Sequence, residues 1–265
     1  MNQKNLDYLK DQLKYHGFGE GLNNKLTEQI SKQAPQFQIA TINEYGKDKV
    51  AYTLDFKKGD NSDMYFFNKY TAIMKGDAEK EKSQTFFMNK GSGITAKEAY
   101  NLLEGRAVNK DLVNAEGEKY NAWLQLDFNQ QDKSGNYKFN LMHKAYGYDL
   151  EKELMKHPIK ELSDPASKEK LMQSLERGNK HQVTITNGDK EEKISLEANP
   201  RFKSLNMYDV DGKKIFQENK KPEQSTTASV TADPQKKTTR ENLKSDSGEM
   251  IERQPKSGKS KGMKI

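Results

Sequence analysis

The chain has 265 residues, 32% of them hydrophobic and 32% charged, with no cysteine and a formal net charge of +6. The absence of cysteine excludes disulfides, thiol nucleophiles and cysteine-ligated zinc or iron–sulfur centres. Every Tyr and Phe and the single Trp lie at or before Phe216, so residues 1–216 have the composition of a core and the rest does not.

Taken in chain order, Leu6, Leu9 and Leu13 share one helical face, and Gly17 follows as a C-terminal stop. A second short helix carries Leu22, Leu26 and Ile30 and closes before Pro35. Val50, Tyr52, Leu54 and Phe56 then alternate with more polar residues, the period of a half-buried strand. KKGDNSD makes a turn into the strand MYFFNKYTAIMK, and GDAEKEKS makes a second turn into QTFFMNK. Three strands joined by polar turns predict an antiparallel meander.

Thr95 and Glu98 stand at capping-box spacing, opening a helix through Leu102 and Leu103 to Gly105. Tyr120, Ala122, Leu124, Leu126 and Phe128 alternate with Asn121, Trp123, Gln125 and Asp127, and DKSGN turns this strand into YKFNLMH. A short helix at about 150–156 ends at His157-Pro158. Ser163-Asp164-Pro165 opens another, with Leu171, Met172 and Leu175 facing inward and Gly178 ending it. Gln182–Thr186 and Glu192–Glu197 form a hairpin about Asn187-Gly188, and Phe202–Tyr208 pairs with Lys214–Phe216.

The predicted class is α+β: antiparallel sheets and hairpins flanked by short helices. Residues 1–92 form a helical hairpin plus meander, residues 93–217 two helix-plus-hairpin units, and residues 218–265 a disordered Lys-rich tail. Thr95–Phe139 and Asp164–Phe216 each run helix, terminal glycine, strand, turn, strand. Duplication of one unit and convergent patterning both produce this order.

The chemistry-bearing residues are few. His16, His143, His157 and His181 form no helical i, i+3 or i+4 pair, so neither a metal site nor a cofactor is expected. Gly17-Phe18-Gly19-Glu20-Gly21 does not follow a strand and lacks the Lys-Ser/Thr of a phosphate loop, and reads as a turn between helices. Gly91-Ser92-Gly93 reads as a loop before the capped helix. The N-terminus has no apolar h-region and no window resembles a membrane span, which predicts a cytoplasmic protein without a membrane partner.

Polyanion contact is one reading of the basic residues. The stretch 218–265 carries eleven Lys or Arg against seven Asp or Glu, and Arg253, Lys256, Lys259, Lys261 and Lys264 crowd its end without an acid. In the folded part, Arg106, Lys110, Arg177, Lys180, Arg201 and Lys203 interleave with Tyr120, Phe202 and Tyr208, a composition suited to DNA or RNA backbone with base stacking. If one unit is duplicated, Arg106 and Arg177 fall at equivalent helix ends, where complementing the helix dipole is the plainer role. Trp123, Gln125 and Asp127 line the polar face of their strand. That face is either an exposed surface for a partner or a buried one under a helix.

MYFFNKY, EAYNLLEGRAVNKDL, YNAWLQLDF, YGYDLEKEL, HPIKELSD and EANPRFKSLNMYD resemble, in order, an uncharacterised domain family carried on conjugative transposons of Bacteroides-type bacteria. Related domains accompany topoisomerase-like and antirestriction-type proteins. The resemblance implies mobile-element biology and carries no catalytic residue. The expected function is therefore a non-enzymatic accessory protein of a mobile element that contacts nucleic acid through its basic tail. A protein–protein adaptor or modulator of host defence stands second, and an enzyme third.

Overall fold

The computed structural model describes residues 2–75, 81–88, 93–114, 116–188 and 190–215. Helices α1 (Gln3–Tyr15) and α2 (Asn23–Ser31) precede strands β1 (Gln36–Tyr45), β2 (Asp48–Lys58), β3 (Tyr65–Lys75) and β4 (Glu81–Phe87). Then come α3 (Ala96–Leu103), β5 (Val108–Val113), β6 (Lys119–Gln131), β7 (Tyr137–His143) and α4 (Leu150–Leu154). The series ends with α5 (Pro165–Glu176), β8 (His181–Asn187), β9 (Lys190–Asn199), β10 (Ser204–Tyr208) and β11 (Lys214–Ile215). The strands form three antiparallel sheets ordered β1-β2-β3-β4, β5-β6-β7 and β11-β10-β9-β8, which makes the chain α+β as expected.

Two strands go beyond the expected set. β1 begins directly after Pro35, whose neighbour Ala34 accepts a 2.8 Å bond from the Tyr65 hydroxyl. Of its ten residues only Phe37 and Ile39 are buried, so the alternation marking it as a strand is confined to its first half. β5 buries Val108 alone, and its pairing with β6 supplies what its side chains do not.

The first core packs Leu6, Leu9, Leu13, Leu26 and Ile30 against Tyr52, Leu54, Phe56, Tyr65, Tyr70 and Met74, all at most 2% exposed. Buried phenols need partners. Tyr52 and Tyr70 donate to the carbonyls of Ala96 and Ile94 at 2.8 and 2.7 Å, tying the sheet to the entry of α3. Burial raises both phenols far above their ordinary pKa. The capping box at the start of α3 forms as read: Thr95 Oγ1 accepts from Glu98 N–H, and the Glu98 carboxylate accepts from Thr95 N–H at 2.8 Å.

This core takes in residues from both sides of position 92, including Leu102, Leu103, Val108, Leu124 and Leu126. The second core packs Trp123 and Met142 with Leu150, Leu154, Leu171 and Leu175 of the later helices and with Val183, Ile194, Leu196, Leu205 and Met207. Strand β6 is thus buried on both faces. Leu124 and Leu126 enter one core and Trp123 the other.

The two units suspected of repetition share an order of elements. α3 leads to β5, β6 and β7, of which β5 was not expected, and α5 leads to β8, β9, β10 and β11, four strands as expected. Each helix is followed by a glycine in the left-handed region, Gly105 at φ 83° and Gly178 at φ 76°.

Candidate basic sites at the helix ends and the β9–β10 turn

The geometry begins with two similar helix endings. Arg106 N–H bonds back to Asn101 O at 2.9 Å, and Asn179 N–H bonds back to Ser174 O at 3.1 Å. The residue matching Arg106 across the two units is therefore Asn179. Arg177 precedes its glycine where Arg106 follows one, so the two arginines are not at equivalent positions. Arg106 turns inward, its side chain 11% exposed, and Arg177 stays in solvent.

Asn101, fully buried, joins the two endings. Its Nδ2 donates to Arg177 O at 2.6 Å and to Asn179 Oδ1 at 2.9 Å, and its Oδ1 accepts from Arg106 Nη2 at 2.8 Å. Close approach at this joint requires glycine, because a Cβ on residue 178 would lie 2.7 Å from Ala107 O.

A cavity of about 400 Å³ opens beside these endings, lined by Lys97, Tyr100 and Asn101 along α3, by Arg106 after it, and by Ser174, Asn179 and Lys180 from the other unit. Arg106 lies over the Tyr100 ring at 5.0 Å, with Nη1 at 3.8 Å from both Glu104 and Glu197, and its Nε has no partner among the described residues. Lys180 sits 3.7 Å from the Tyr208 ring centroid and 3.9 Å from Glu197. Lys97 projects over Tyr45 and Tyr100, which stack at 4.5 Å. Desolvation, and then the charge of Arg106, hold the Lys97 ammonium below its ordinary pKa. Burial, and then the bond to Asp48, push the Tyr100 phenol up to about 12.

Lys110 and Arg177 belong to a different cleft, of about 410 Å³, with Glu98, Asn109, Asp111, Asn121 and Glu176. Here Lys110 is spent on Glu98 at 3.1 Å. Asn109 and Asn121 donate to each other's side-chain oxygens, both at 2.8 Å. Burial first, then Asp111, raise the Glu176 carboxyl above its ordinary pKa. The same asparagines and Glu176 also border a cavity of about 500 Å³ that reaches Trp123 and Tyr148.

For Trp123 the structure selects the buried alternative. The ring is 7% exposed and meets Tyr148 edge-on at 5.5 Å. Second-core residues cover it, so it is no free surface for a partner. Gln125 donates to Gly105 O at 2.7 Å, and Asp127 accepts from Asn129 N–H at 3.0 Å and from Gln130 at 3.0 Å. Gln125 is thus engaged at the end of α3, and Asp127 within its own strand.

Arg201 and Lys203 meet at the β9–β10 connection, a 3-10 turn over Pro200–Phe202. Phe202 at its crest is 71% exposed, with the Arg201 guanidinium 5.7 Å from its ring. Lys203 takes the left-handed region at φ 50°, a conformation disfavoured by roughly 1–2 kcal/mol for a residue with a Cβ. It bonds back to Pro200 O and lays its ammonium 5.0 Å from the centre of the Tyr146 ring. Tyr146 is itself 41% exposed and donates to Arg201 O at 2.8 Å, which braces the turn from outside.

Sequence reasoning thus found Arg106 and Lys180 but not their third companion, Lys97, which resembles any surface lysine of a helical first turn. Tyr146 was missed also, and its place beside Lys203 arises from residues 57 apart in sequence. The tail cations Arg253, Lys256, Lys259, Lys261 and Lys264 lie outside the described residues, as do Ser92 and Phe216. His16 stays structural, its Nδ1 2.8 Å from Gln12 O. Among the described residues no group of His, Asp or Glu could hold a metal, and no helix is long and apolar enough to cross a membrane. No family model, curated protein or solved structure matches the chain.

Proposed function

We propose that this chain is a non-enzymatic accessory protein that contacts nucleic acid, single-stranded in preference, through the β9–β10 turn together with the basic tail. The observation that carries this reading is the exposed Phe202, held between Arg201 and Lys203 on a braced turn. A ring in solvent offers a stacking platform for an unpaired base, and cations on either side suit the flanking phosphates. Arg201 and Lys203 make no ion pair among the described residues, whereas Lys110 and Lys168 do. The mobile-element setting rests on the sequence resemblance alone.

Fluorescence anisotropy with labelled single-stranded and duplex DNA, run across a salt series, tests the reading. Phe202→Ala in the full-length chain is expected to weaken single-strand binding by about 1–3 kcal/mol with the salt slope unchanged. Lys203→Gln is expected to lower that slope by about 0.7. Removal of residues 218–265 should weaken both DNA forms and leave the preference between them. If full-length protein binds neither form at low salt, the nucleic-acid reading fails and the protein–protein adaptor takes its place.

A further inference from the structure

We infer that the cavity between the ends of α3 and α5 is a binding site for a phosphate group, gripped by Arg106 from its floor and by Lys97 and Lys180 from its rim. The inference goes beyond the nucleic-acid reading, because the cavity is separate from the Phe202 turn and needs no polymer.

Charge is the first argument. Three cations line the cavity and no carboxylate does. The acids nearest to them are Glu104 and Glu197, at 3.8–3.9 Å from Arg106 and Lys180, too far for a charge-assisted hydrogen bond. Glu197 is moreover held at 2.8 Å by the Tyr208 hydroxyl. Asp48, the remaining acid near the group, accepts from the Tyr100 hydroxyl at 2.8 Å.

Helix dipoles do not account for these cations. Carbonyls at the two helix endings already have donors: Leu103 O takes the Lys82 ammonium at 2.9 Å, Gly105 O takes Gln125, and Arg177 O takes Asn101. Lys97 lies in the first turn of α3, where the dipole disfavours a cation, and Arg106 stands close by. The Tyr45 and Tyr100 faces offset part of this opposition. A bound anion would offset the rest.

Donor stock and size agree. Asn179 Nδ2 makes only a 3.4 Å contact with Ser174 Oγ, and Arg106 Nε, closed off from solvent, has no partner among the described residues. A volume of about 400 Å³ takes a phosphate or a small phosphomonoester. Asn101, satisfied on both sides, fixes the floor so that the guanidinium is oriented before the ligand arrives.

The test is calorimetric titration of the full-length protein with inorganic phosphate at constant ionic strength, followed by a nucleoside 5′-monophosphate and by oligonucleotides with and without a 5′-phosphate. Saturable binding is expected. Lys97→Gln and Lys180→Gln, both at the solvent-facing rim, should each weaken it roughly tenfold. Glu104→Gln, which removes a competing acid, should tighten it several-fold. A purely structural role for the cations predicts no such tightening. Preference for the monophosphate or for the 5′-phosphorylated strand would identify the source as an ester, and preference for inorganic phosphate as the free ion. Absence of saturable binding, or binding indifferent to both rim lysines, would overturn the inference.

Discussion

Replacing Gly178 by alanine perturbs the joint on which both the second core and the cation cavity depend. At φ 76° the residue occupies the left-handed region, where a Cβ costs roughly 1–2 kcal/mol. Space adds to this. The new methyl would lie 2.7 Å from Ala107 O, 3.0 Å from Val108 Cγ2 and 3.2 Å from Asn101 Cβ. The first is backbone leading into β5, and the other two belong to residues with no solvent exposure, so none can swing away. Overpacking of this kind adds about 1–3 kcal/mol, for a total of about 2–5 kcal/mol. Gly212→Ala provides the control, since φ is 80° there and nothing lies within 4 Å of the added Cβ. It should lose only the conformational part. Urea unfolding of both variants and the parent, with unchanged m-values, measures the difference directly. Equal losses in the two variants would refute the steric account of Gly178.

Trp123→Ala should lower stability by about 3–5 kcal/mol, which thermal unfolding would read as a fall of roughly 2–4 °C per kcal/mol. A near-normal melting temperature would return Trp123 to the exposed surface from which burial has excluded it. Glu176 supplies a pH test. Its folded-state pKa lies above the ordinary 4.5, so the folded protein keeps a proton that the unfolded chain releases, and stability falls as pH rises through that interval. Glu176→Gln removes the fall: the variant should melt above the parent at pH 7, with the gap closing below pH about 4.5. A gap equal at both pH values would refute the burial argument.

What could be read from the sequence was local. The capping box at Thr95 and Glu98, the Asn187-Gly188 hairpin and the leucine faces of α1 and α5 rest on short-range rules, and each formed. β1 escaped because a strand with two buried residues in ten carries little period-2 signal. β5 escaped because an edge strand draws its definition from the partner beside it. The cation cavity was out of reach for another reason. Lys97, Arg106 and Lys180 come together only through the amide of Asn101 and the missing side chain of Gly178, and neither residue carries a motif. Trp123 shows the same limit from the other side, since alternation assigned it correctly to a separate face from Leu124 and Leu126 without revealing that this face is covered too.

The double burial of β6 also sets an order of events during synthesis. Leu124 and Leu126, with Val108 of β5, complete a core whose four-stranded sheet ends at Phe87, so the emerging N-terminal sheet must wait for about forty further residues before its last wall arrives. At translation rates of about 5–20 residues per second that is an interval of roughly 2–8 s, with apolar surface uncovered. Throughout it the N-terminal half carries an unfinished core, and a chain cut short before Leu126 would lack the wall that β6 supplies.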